Sequence, residues 1–242
     1  MFLLAAAICT AVAQPSSPAE PPEIPPASLP KLSQAAKSAD GFAPPGWKVE
    51  QLARGDLNKD GTPDIVAVLK GADPTCIVGA DRGAGPMDTN PRMLIVAFGG
   101  KDGYRLQLAN SAVIPRLEDP YMDDPLASGA ITIDGGVIRL RLGSWRSAGG
   151  WSTSKNTLAF RWDGKRFALV GLDRDYLERN SGKTEQLSAN YLTHRARITN
   201  GSIESDTGGK VRWRPVPVRA LPSLETIGDG LEFADGQQEA LT

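Results

Sequence analysis

The chain has 242 residues, with 27 Lys and Arg against 28 Asp and Glu and a formal net charge of −1. That balance excludes a global field for gathering nucleic acid or an anionic membrane. Hydrophobic residues at 40% of this length provide for one core-bearing domain, at most two. With Gly at 26 and Pro at 19, turns are frequent and short strands are expected over long helices.

The N-terminus has an apolar run from Phe2 to Ala13 ending in Ala11-Val12-Ala13, the small-x-small pattern of a cleaved export signal. Residues 1–13 are therefore expected to be a signal peptide, with a mature chain starting near Gln14 in the periplasm or outside the cell. About twelve apolar residues fall short of the ~20 that span a bilayer, so no transmembrane span is expected in the mature chain. No Lys or Arg precedes the run, which fits a true start upstream of Met1. Ile8 before Cys9 argues against a lipidation site. Loss of Cys9 leaves Cys76 alone, so no intramolecular disulfide is expected. Nothing around Cys76 supplies a base, and the single histidine, His194, lies far along the chain.

Residues 14–30 hold seven of the 19 prolines and predict an extended, disordered linker. The stretch 31–40 predicts a short helix, and WKVEQLARG, at 47–55, predicts a strand. DIVAVLKG and MLIVAFGG follow as strands, joined by the Gly/Pro/Asp-rich connection at 71–91. In KDGYRLQLAN, Tyr104, Leu106 and Leu108 alternate with Arg105 and Gln107. Next, ITIDGGVIRLRLGSW turns at Asp134-Gly135-Gly136, and Ile138, Leu140 and Leu142 alternate with Arg139 and Arg141. The clearest hairpin is 156–172, turning at Asp163-Gly164 between Leu158, Phe160, Trp162 and the returning Phe167 and Leu169. DRDYLERN predicts a turn of helix, while YLTHRARIT, SIES and KVRWRPVPV predict strands around Asn200-Gly201. These patterns predict a mainly-β fold: one antiparallel domain over 31–228, a sandwich or an open barrel-like sheet, with a few short helices. Residues 229–242 are expected to be a flexible tail.

The chemistry of greatest interest lies in GDLNKDGTPDIVAVL, residues 55–69. Its pattern DxNxDGxxD sets side-chain oxygens of Asp56, Asn58, Asp60 and Asp64 at calcium-loop spacing, with Thr62 placed to lend a backbone carbonyl. Gly61 permits the sharp turn. Hard oxygen donors unaccompanied by His or Cys favour Ca²⁺ over zinc. The closing Glu of an EF-hand is absent and Ala67 begins the apolar run instead, so the loop is flanked by strands. A metal-free polar turn explains the same residues less fully.

On these residues the loop resembles FG-GAP and VCBS type repeats, whose loops bind calcium between strands of β-propellers. Only one such loop occurs, so a propeller is not expected. A wider resemblance covers about residues 42–227 through GW at 46–47, GDLNKDG, YRLQLAN, DDPLASGAITI, the GSWR…FRWDGKRFALVG block and NYLT at 190–193. Together these resemble a family of small exported bacterial proteins, often lipoproteins, with a single FG-GAP-like loop. The resemblance implies export and a calcium loop, with no activity attached. Around Ser144 the chain departs from that family, with Arg146, Ser147 and Ala148 where aromatic residues are usual.

Two other groups compete. Glu118, Asp119, Asp123 and Asp124 could supply a carboxylate pair for hydrolysis of envelope polysaccharide. Trp145, Trp151 and Trp162, with Arg139, Arg141, Arg146 and Arg161, could form a glycan- or protein-binding surface. Ser144 and Ser147 lack a nucleophile elbow. The sequence is thus read as an exported, non-enzymatic, monomeric calcium-binding β domain with a structural, adhesive or envelope-associated role and an unknown envelope or extracellular ligand.

Overall fold

A computed structural model describes residues 23–79, 85–127, 129–205, 209–217 and 222–241. The signal-peptide region and residues 14–22 of the expected linker lie outside the described residues. Among the latter, strands run β1 (Ala35–Ala36), β2 (Trp47–Gly55), β3 (Asp64–Gly71), β4 (Ile77–Val78), β5 (Met87–Asp88), β6 (Arg92–Gly100), β7 (Gly103–Asn110), β8 (Ala130–Asp134) and β9 (Val137–Trp145). They continue as β10 (Ser152–Trp162), β11 (Phe167–Glu178), β12 (Lys183–Asn190), β13 (Arg195–Ser202) and β14 (Lys210–Pro215), and the helix α1 (Gly230–Leu241) closes the series. All pairings are antiparallel, and the fold is mainly β.

Two large sheets carry the domain: a five-stranded one in the order β1-β7-β6-β3-β2 and a seven-stranded meander from β14 to β8. The strand β3 is buried over its whole length, and its parity divides two cores. Val66 and Val68 face inward with Leu94 and Val96 towards the meander's Leu140, Leu158 and Phe160. Ile65, Ala67 and Leu69 face the opposite way, onto Phe42, Leu32 and Ile95. Burial on both faces explains why this strand reads as an unbroken apolar run. The meander buries one face only, hence the alternation of Ile138, Leu140 and Leu142 with arginines. The sheets meet edge to edge where the Gln51 side chain donates to the Gly129 carbonyl at 3.4 Å and accepts the Ile131 N–H at 3.0 Å.

Several local expectations are corrected. The predicted helix at 31–40 is instead the two-residue β1 followed by a 3₁₀ turn at Ala39–Phe42. Ala35 pairs with Arg105 on the β7 edge, while Phe42 seals the outer core. DRDYLE is strand, the far half of β11, because Arg174 faces inward and is paired there. A strand unread in the sequence, β12, contains only Leu187 and Ala189 as buried residues. Asn200-Gly201 lies within β13 and not at a turn, and Ile203-Glu204 forms the turn after it.

The expected flexible tail is largely α1, with Leu231, Ala234 and Leu241 buried in the main core. Asp229 caps it, its Oδ1 accepting the N–H groups of Leu231 at 2.7 Å and Glu232 at 3.2 Å. Buried Arg174 then ties the helix to the sheet, donating to Asn156 Oδ1 at 2.7 Å and pairing with Asp235 at 2.5 Å. Of the linker, residues 23–30 have no regular structure, yet Arg116 donates to the Pro25 carbonyl at 2.7 Å.

Candidate metal centre

The loop at 56–64 joins β2 to β3 and turns through two left-handed residues, Lys59 at φ 65° and Gly61 at φ 84°. Nested side-chain turns fix that path. Asp56 accepts the N–H of Lys59 on Oδ1 at 2.6 Å and that of Gly61 on Oδ2 at 2.9 Å. Asn58 Oδ1 accepts the Asp60 N–H at 2.9 Å, and Asp60 Oδ1 accepts the Thr62 N–H at 2.7 Å. The Thr62 N–H, followed by the Asn58 amide, holds the Asp60 carboxyl below its ordinary range.

Asp64 does something different. Fully buried at the head of β3, it accepts the Leu57 N–H on Oδ2 and the Gly99 N–H on Oδ1, both at 2.8 Å. It thereby clasps the start of the loop to the end of β6. Burial, and to a lesser extent the Asp60 charge, push its carboxyl upward, and the backbone N–H groups of Gly99, Leu57 and Asn58 only partly oppose that. The clasp requires glycine at 99, where a Cβ would collide with the Pro63 carbonyl.

The predicted donors therefore divide. Asp56, Asn58 and Asp60 lie together in the partly exposed turn with Thr62, whereas Asp64 is spent on backbone. Among the described residues, no three Asp, Glu, His or Cys side chains form a group able to hold an ion. The donor chemistry still suits a hard cation, since each carboxylate oxygen of Asp56 and Asp60 accepts one bond and keeps a further lone pair. One internal contact, Asn58 Nδ2 to Asp60 Oδ2 at 2.8 Å, would have to open for both side chains to serve one ion. Beside the loop lies a cleft of about 410 Å³ lined by Asn58, Asp60, Phe98, Lys101 and Tyr104.

Of the four carboxylates in the acidic segment 117–126, Glu118, Asp119 and Asp124 are ion-paired, while Asp123 is exposed with no side-chain partner among the described residues. Asp124 makes a two-bond fork to Arg92, which makes a second fork to Glu50, at distances of 2.6 to 2.9 Å. Lys70 joins the cluster through Asp88 at 2.8 Å. Burial raises the Asp124 carboxyl, but Arg92, the Leu126 N–H and Lys70 more than reverse this and hold it low. Asp119 pairs with Arg146 at 3.2 Å, and Glu118 with Arg116 at 3.4 Å. This five-membered ionic cluster was invisible in the sequence, because its members come from β2, β3, β5, β6 and a distant loop. A cleft of about 480 Å³ does run between this segment and the start of α1. There burial raises the Asp229 carboxyl, but its Oδ1 caps the helix.

The tryptophans separate likewise. Trp162 packs edge-on against Phe98 at 5.2 Å and at a tilt against Phe167 at 4.9 Å, and so serves the core. Trp151 is 69% exposed and Trp145 37%, with the Arg179 guanidinium 5.1 Å over the Trp145 ring. Cys76 is buried, and no helix among the described residues is long and apolar enough to cross a membrane. No family model, curated protein or solved structure matches this chain.

Proposed function

We propose that this is an exported, non-enzymatic β domain whose loop at Asp56–Asp64 binds calcium and stiffens the β2–β3 connection, in a structural or adhesive role at the cell envelope. The observation that carries the reading is the turn itself. Asp56, Asn58 and Asp60 are already drawn into one compact loop by bonds to its own N–H groups, each leaving oxygen lone pairs for a cation. Those three side chains with the Thr62 carbonyl would hold the ion. Asp64, set behind them, fixes the loop's base. Export rests on the apolar run before Gln14, and the single-loop family resemblance agrees with both.

Calorimetric titration of the chelated protein tests this directly. Calcium should bind, and magnesium should substitute poorly because it demands a smaller octahedral cage. At a hundredfold excess over the dissociation constant, linkage adds about 2.7 kcal/mol to stability. For a domain of this size that raises Tm by roughly 5–10 °C. Asp60→Ala should remove most of the response, and Asp123→Ala should leave it. A Tm that millimolar calcium fails to move in the wild type would reduce the loop to a polar turn.

The hydrolase reading receives less support. A general acid needs a raised carboxyl. Asp124 is held low, and Asp229, which is raised, is engaged as a helix cap. Turnover of peptidoglycan, esters and phosphoesters should be undetectable; activity abolished by Asp229→Asn or Asp119→Asn would reverse the preference.

A further inference from the structure

We infer that the edge of β14, unpaired among the described residues, is a docking site for an extended acidic polypeptide, which adds to the meander as a further strand. All six residues of β14 are exposed, although the strand belongs to a sheet whose other edge, β8, lies against β2. Val216 N–H donates to the His194 carbonyl at 2.9 Å. Continuing the β13–β14 register from that bond, Arg214, Arg212 and Lys210 direct their backbone groups to β13. The N–H and C=O groups of Val211 and Trp213 therefore point out from the sheet, as does the Pro215 carbonyl. An incoming strand finds a short ladder whose register is already set.

The side chains specify the partner. Lys210, Arg212 and Arg214 project from one face of β14, and Val211 and Trp213 from the other. Trp213 is 57% exposed and Val211 54%, with the Arg195 guanidinium 4.6 Å over the indole. A second copy of this chain is a poor occupant, because antiparallel pairing of two β14 edges sets three cations against three. Edge cations alone are a common guard against aggregation. A large exposed aromatic beside them does not serve that purpose, and marks contact with a partner that is acidic on one face and apolar on the other. This inference does not depend on calcium.

The test is fluorescence anisotropy of the full chain with a labelled heptapeptide, Glu-Val-Glu-Tyr-Glu-Val-Glu, against its counterpart with lysine at every glutamate. The acidic peptide should bind about tenfold or more tightly than the basic one, with loss of affinity as salt rises. Val211→Pro removes an outward N–H and none that bonds to β13, so it should abolish binding with the fold intact. Should that variant unfold, the pair Arg212→Glu and Arg214→Glu carries the test, and should reverse the preference towards the lysine peptide. Equal binding of both peptides would overturn the inference. So would displacement by heparin as effective as by unlabelled peptide, which would make the edge a general polyanion surface. A concentration-dependent dimer abolished by Val211→Pro would overturn it in favour of a second copy.

Discussion

Arg92→Ala should destabilise the domain by about 2–4 kcal/mol, the cost of removing a buried guanidinium that forks to two half-buried carboxylates and leaving Lys70 as their remaining cation. Arg92 is 5% exposed and forks to Glu50 and Asp124 at once, so its loss strands two acids beside Lys70. Urea unfolding at neutral pH measures this, and a change below about 1 kcal/mol would show that water reaches the cluster freely. The sign of the pH dependence follows from the acids. Asp88 and Asp124 are both held below the ordinary 3.8, burial opposing and Lys70 and Arg92 prevailing. Their contribution is complete above the ordinary carboxylate range and is lost progressively as pH falls from there through their lowered folded-state values. Without Arg92, Asp124 has less to lose, so the gap between wild type and variant should narrow below about pH 4.

Asp64→Ala is expected to have an effect of similar size, roughly 2–4 kcal/mol, since it orphans two N–H groups that the carboxylate now satisfies. Asp64→Asn is little better, because its amide nitrogen must face a backbone donor, Leu57 or Gly99. Hydrogen exchange at those two amides separates the clasp from general damage. Both should lose protection before the centre of β3 does; protection that falls uniformly along β3 would count against a local clasp.

The alternation in β9 and the unbroken run in β3 made the sheets legible, because side-chain period and burial are the same fact seen twice. β12 escaped because one end of its inward face is polar: Glu185 accepts from Asn200 at 3.1 Å where an apolar residue would have declared a strand. The helix α1 did leave a signal, Asp229 followed by Glu232 in capping-box spacing, but Gly230 and Gly236 made the segment resemble a loop. At the loop, the polar turn was readable and the allocation of its side-chain oxygens was not. Nothing local distinguishes Asp60, which bonds within the turn, from Asp64, whose partner Gly99 is supplied by another strand. The ionic cluster escaped for the same reason, since Arg92 meets Glu50 across β3 and Asp124 from the loop before β8.

The two sheets also differ in how they can be reached from an unfolded chain. In the meander every strand from β8 to β14 pairs with its sequence neighbour, so each hairpin closes a short loop and offers the next strand an edge. The five-stranded sheet has that order only in its β2–β3 and β6–β7 hairpins: β3 must still find β6, and β1 must find β7 at Tyr104 and Arg105. Closure entropy grows with the logarithm of the intervening length, and the long closures return only a two-residue ladder in the case of β1. The meander should accordingly organise early and the β7 edge should be covered last. Until then Phe42 leaves Ile65, Leu69 and Ile95 uncovered on the outer face of β3 and β6, and the edge of β7 stays open to mispairing.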